Sequence, residues 1–266
     1  MKKNWLIMVG YVLVIIVIAE LIGIRFFQVG KTTIGILPLV FAVVITMILG
    51  IPAIRKGLLK KIYTKETIEF AGKNLLFIML PLMARYGADV APEIRNILKV
   101  GWVFLFQEIG NVGTVLFGLP VAILLGLKRE AIGATLGLGR EGELAYISEK
   151  YTLNSPEGRG VLTLYLIGTI FGSIFFSFFA PILLSFGFDY RALAMSSGVG
   201  SASMMTAASS SLVAIMPDKE TTILSYAAAS QLLTSFLGTY TMVFVAVPLQ
   251  RKMYALLTKT RQKEVI

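Results

Sequence analysis

The chain has 266 residues, 56% of them hydrophobic and 15% charged, with a mean hydropathy of +0.79; soluble domains carry about 25% charged residues, so lipid is the expected solvent and 1–266 one membrane domain. The net charge of +10 falls in short loops between apolar runs, which reads as a topology signal and not as a nucleic-acid surface. With no Cys and no His, disulfides, thiolate nucleophiles, imidazole acid–base chemistry and the usual zinc sites are excluded, and neither an enzyme nor a cofactor is expected.

A spanning helix needs about 20 mostly apolar residues, and eight stretches qualify: 5–24, 34–51, 70–90, 100–126, 130–151, 160–187, 190–215 and 221–248. The first has a basic start but an apolar run too long for a signal peptide and no small-residue cleavage site, so it reads as an uncleaved span. The third contains Lys73, Pro81, Arg85 and Asp89, with Arg85 and Asp89 spaced to pair on one helix face. In the fourth, Glu108 and Asn111 share a face next to Gln107 in an otherwise apolar or small sequence, which makes them candidate ion-coupling and substrate-binding residues, or an interhelical hydrogen-bond pair.

The fifth stretch is interrupted by GLGREGELA (137–145), which places Arg140, Glu141 and Glu143 at bilayer depth beside Gly137, Gly139 and Gly142. Ionised residues there face a cavity or a partner. A planar guanidinium suits a solute carboxylate, so Arg140 and Gly139 are candidate substrate residues. Desolvation favours a protonated carboxyl, so Glu141 and Glu143 are candidate proton or sodium carriers. The seventh stretch is interrupted by GVGSASMMTAASSS (198–211), whose hydroxyls serve either close helix packing or coordination around an unwound backbone. Ser201, Ser203 and Thr206 are its candidate site residues, with a sodium site near Gly200 and Ser201.

Basic residues divide 15 to 7 between the two sides when both termini are cytoplasmic, as cytoplasmic loops require. A shift of 61 residues superposes Pro120 on Pro181, Gly126 on Gly187, Gly137 on Gly198 and Gly139 on Gly200. This suggests repeat units near 70–126, 130–187 and 190–248, each a broken element with a long helix, repeating in parallel. Gly-interrupted segments at matching repeat positions point to a transporter's binding site.

The segments GLGREGELAYISEKY, NSPEGRG and GVGSASMMTAASSS resemble a prokaryotic membrane-protein family known as a domain of unknown function, over roughly 70–250. More distantly the chain is similar to the superfamily of cation-proton antiporters and anion transporters that includes sodium–bile acid symporters and 2-keto-3-deoxygluconate permeases. That likeness implies broken helices crossing at Gly137–Gly142 and Gly198–Ser203, and inverted repeats with an odd number of spans each. A two-span unit meets that scheme only if a broken element is re-entrant.

The expectation is an all-α, roughly eight-span secondary transporter in the cytoplasmic membrane of a prokaryote, moving a small carboxylate or amino-acid-like solute with a proton or sodium gradient. Its competitors are a cation-proton antiporter without organic substrate and a passive, holin-like pore. Expected partners are the solute, the ion and membrane lipid, not nucleic acid; a homodimer is left open.

Overall fold

The computed structural model describes residues 2–29, 32–36, 38–137 and 140–258. In chain order its elements are α1 (Lys2–Ile22), β1 (Arg25–Val29), β2 (Thr32–Ile36), α2 (Pro38–Leu49), α3 (Leu58–Ile62), α4 (Lys65–Lys73), α5 (Leu75–Val90), α6 (Ile94–Lys99), α7 (Gly101–Gly113) and α8 (Leu119–Leu124). Then follow α9 (Glu130–Thr135), α10 (Arg140–Tyr151), α11 (Pro156–Ile167), α12 (Ser173–Ser185), α13 (Tyr190–Ser197), α14 (Ala202–Ile215), α15 (Glu220–Thr241) and α16 (Val247–Thr258).

The fold is helical with one departure. β1 and β2 form an antiparallel hairpin, Arg25 opposite Ile36, that lies against α12 and α14. The stretch 34–51, expected as one span, therefore begins as a strand and is helical only from Pro38. Rich in β-branched Thr and Ile, its first residues suit a pleated pairing better than a helix.

Three long rods organise the rest. In each, two helices are joined by a single wide turn with i→i+5 hydrogen bonding: α7 and α8 through Thr114–Gly118, α11 and α12 through Gly168–Gly172, α15 and α16 through Met242–Ala246. The first two rods end alike. Gly126 (φ 90) and Gly187 (φ 88) take the left-handed conformation, and the next amides, of Leu127 and Phe188, reach back to Ala122 O and Leu183 O. This is the glycine-terminated end that satisfies the last carbonyls of a helix. Among the described residues Gly101–Leu124 and Pro217–Thr258 are long and apolar enough to cross a membrane, and both leave large apolar side chains such as Ile109, Phe117 and Phe244 exposed.

The two interrupted stretches each return to the end they start from. α9 begins beside Arg129, whose guanidinium meets Glu157 at the start of α11; Glu130 likewise meets Arg159. Only residues 152–155 separate α10 from α11, so α9 and α10 form a helical hairpin, the first hairpin below. Leu136 and Ile147, one on each leg, share an apolar cluster with Val115, Val161 and Met242.

The α13–α14 pair behaves the same way. α13 runs beside α15 from its start, with Tyr190, Leu193, Leu212, Ile223 and Tyr226 in one cluster, and α14 ends directly before Pro217. This is the second hairpin. Eight complete crossings were expected, a number the structure does not confirm; 130–151 and 190–215 fold as hairpins, because contacts distant in sequence hold their two ends together.

Their open ends lie at opposite ends of the third rod. Tyr226, near its start, packs with the base of the second hairpin, whereas Gln250 and Tyr254 contact α9 of the first. From 226 to 250 a helix rises about 36 Å.

Glycine sets the closest approach. A Cβ on Gly133 would overlap the Glu157 carbonyl, and one on Gly160 the Glu130 carbonyl, so α9 and α11 cross backbone to backbone. Small residues permit so close a helix contact.

Candidate functional site

The first wall of the site is α7. Gln107 Nε2 donates to Ser230 O (3.2 Å) and Thr234 Oγ1 (3.0 Å), and Ser230 Oγ donates to Gln107 Oε1 (2.6 Å), which staples α7 to the middle of α15. One position on, both carboxylate oxygens of Glu108 are buried and accept no hydrogen bond among the described residues. Asn111, one turn further, is 3% exposed, and its Nδ2 has no acceptor among the described residues. Thr114 Oγ1 lies near both Asn111 O (3.1 Å) and Gly137 O (3.4 Å), linking α7 to the break of the first hairpin.

At that break α9 stops at Thr135 and helix resumes at Arg140, so Arg140, Glu141, Gly142 and Glu143 form the first turn of α10 and are not unwound. Gly139 lies outside the described residues, as do the side chains of Arg140 and Glu141. Glu143 is fully buried, close to the positive end of α10 where a carboxylate is favoured. Gln250 Nε2 donates to Ile132 O (2.9 Å) and Thr135 Oγ1 (3.1 Å), taking up a carbonyl and a hydroxyl near the end of α9. A Cβ on Gly142 would sit 3.6 Å from Thr239 Oγ1, so this tip touches α15.

The second break spans 198–201. Gly200 has φ +112, a conformation open to glycine and strained for other residues, and Ser201 follows with extended backbone at the start of α14. The Ser201 and Ser203 hydroxyls bond each other at 2.8 Å, both buried. Gln231 Nε2 donates to Gly200 O (3.0 Å), while its Oε1 is buried without a donor among the described residues. Gly198 packs so tightly on Ala227 and Ser230 that a side chain there would overlap them. Thr206 is exposed and returns its hydroxyl to Ala202 O, apart from the break.

The two tips meet the same part of the third rod. Gln231 holds one and Thr239 touches the other, about 12 Å apart along the helix. Glu108, Asn111, Gly137, Glu143, Gly200, Ser201 and Ser203 therefore belong to two tips and the α7–α15 pair between them. Gln231, Gln250, Thr114 and Thr239 were not anticipated as site residues; glutamine inside an apolar run was the available signal for the first two.

The hairpin bases are charged. The Arg191 guanidinium, at 3.1 and 3.0 Å, holds the Asp189 carboxyl below the usual range, helped by the Arg191 amide. At the opposite base the hydrogen bond to Glu157 pushes Arg129 further up.

A family model described as "Protein of unknown function (DUF3100)" matches residues 17–256. The chain belongs to this family. No curated protein and no solved structure matches it, so the distant likeness of this DUF3100 member to cation-proton antiporters gains no support from either comparison.

Proposed function

We propose that the protein is a secondary transporter of the prokaryotic cytoplasmic membrane that moves a small carboxylate or amino-acid-like solute with a proton or sodium gradient. The observation that carries this reading is the pair of broken-helix hairpins that enter from opposite ends and bring their tips to one section of α15. Non-helical backbone at membrane depth is tolerated where protein or a water-filled cavity satisfies it. Carriers place such breaks at the binding site, where each can be reached from one side.

In this reading six segments cross the bilayer and two hairpins are re-entrant. The loop 152–155 then joins the cytoplasmic side and Arg191 leaves it. The basic residues divide 16 to 6 instead of 15 to 7, a stronger positive-inside signal. The units 130–187 and 190–248 each become one hairpin plus one crossing, and the two run in opposite directions.

Within the site, Arg140 takes the solute carboxylate and Glu143 takes part in ion coupling. Proteoliposomes made with purified protein test this with a panel of radiolabelled carboxylates and amino acids under imposed gradients. Arg140→Lys is expected to weaken solute uptake at least tenfold through loss of the planar fork. Glu143→Gln is expected to retain exchange but lose gradient dependence. Flux that ignores the gradient would make the protein a pore, and sodium-driven proton release with no solute uptake would make it an antiporter.

A further inference from the structure

Glu108 is the only charged side chain between Gly101 and Leu124. Both its oxygens are buried and neither accepts a hydrogen bond among the described residues. Gln107, its neighbour, is fully engaged by Ser230 and Thr234 and leaves no donor for it. Asn111, on the same helix face and buried, also has an amide nitrogen with no acceptor among the described residues.

Among the described residues, the elements packed on α7 supply no counter-charge at this level. α15 carries no titratable group from 227 to 239; its Tyr226 lies against Phe104, a turn nearer the rod's start, and Tyr240 is exposed. On α6, Arg95 and Lys99 are exposed, and the Met242–Ala246 turn is apolar. The first hairpin, which reaches Thr114 through Gly137, brings Arg140, Glu141 and Glu143 in sequence but among the described residues gives Glu108 no bonded partner.

A carboxylate removed from water without a donor or a counter-ion is costly while ionised, and a bound cation removes that cost. We propose that Glu108 is a cation-binding carboxylate of the carrier, separate from Glu143, and takes one proton or one sodium ion. This rests on the transporter reading above and adds an ion site on α7, beside the breaks, with Asn111 as the neighbouring polar group.

Infrared difference spectroscopy on the full-length protein in lipid nanodiscs tests the proposal, because a protonated carboxyl has its own C=O stretch in an apolar setting. Spectra are taken between acid and alkaline buffer, and between choline chloride and sodium chloride at fixed pH. The expected result is a carboxylic acid band at acid pH that alkali abolishes. Loss of that band on adding sodium identifies a shared proton and sodium site; indifference to sodium identifies a proton site. Glu108→Gln is expected to delete the band, Glu108→Asp to shift it, and Glu143→Gln to leave it in place.

A band of unchanged amplitude in Glu108→Gln, unchanged position in Glu108→Asp, or no titrating band in the wild type would overturn the assignment. The aspartate variant keeps the test decisive if the glutamine variant fails to fold. Since the readout is protonation and not flux, the site stands or falls separately from the solute: a normal Glu108 band in a protein that transports no organic solute leaves the cation site and removes the solute from the reading.

Discussion

The Arg129 guanidinium donates to the Glu157 carboxylate at 2.6 Å across 28 positions of chain, and Glu157 is almost wholly buried while Arg129 is half exposed. Removing the arginine strands a buried carboxylate. Arg129→Ala is expected to destabilise the protein by about 3 kcal/mol, the low end for a broken buried pair because water reaches the arginine side. The parallel pair, Arg159 with Glu130, is more open at both partners, and Arg159→Ala should cost roughly 0–1 kcal/mol. Thermal unfolding of the two variants in one detergent checks the contrast; equal losses would mean that the first pair does not hold the hairpin base.

Gly133 and Gly160 let α9 and α11 touch through their backbones. Gly133→Ala must push the Glu157 carbonyl away and is expected to cost about 1–3 kcal/mol, as overpacking does. Gly110→Ala, where a Cβ meets nothing within 4 Å, is the matched control and should be neutral or slightly stabilising. A melting temperature unchanged by Gly133→Ala would argue against the close crossing.

The native chain has no cysteine, so single introduced cysteines report topology without background. Thr152→Cys and Lys60→Cys should both be shielded from an impermeant maleimide added to intact cells, and Asp218→Cys should react. Thr152 is the informative position, because a continuous crossing through 130–151 would place it on the outer face with Asp218.

Asp189 caps α13 through the Arg191 amide and pairs with the Arg191 side chain. Its carboxyl is held below the ordinary value, chiefly by that guanidinium. The stabilisation is therefore complete above the unfolded aspartate value of about 3.9 and is lost as pH falls through the depressed folded value. Asp189→Asn keeps a side chain that caps well but has no proton to gain. The variant should lose less stability than the wild type when pH is lowered below about 4, as read from melting temperature against pH.

Much of the site was legible and the path of the chain through it was not. Glycine clusters marked both breaks: α9 stops at Thr135 before α10 starts at Arg140, and α13 stops at Ser197 before α14 starts at Ala202. Glu108 and Asn111 stood out as polar groups in an apolar helix. Hydropathy carries no information on whether a chain passes through or turns back: Arg129–Glu157 and Tyr190–Tyr226 decide that, and neither pairing has a local signature. Nor did the sequence distinguish Gln231 and Gln250, which hold Gly200 O and Ile132 O, from polar residues that merely face a neighbour. The β-hairpin was hidden for a different reason, since its Thr and Ile residues run straight into the apolar helix that follows.

The wide turn at Met242–Ala246 sets the angular phase of the third rod. At about 100° per residue, a regular helix from 231 to 250 makes five full revolutions and about 100° more, which would aim the two glutamines in different directions. One turn that takes up an extra residue removes that surplus and brings Gln231 and Gln250 onto a common azimuth. Two hairpins arriving from opposite ends are thereby gripped along a single side of one rod, as by two teeth of the same comb.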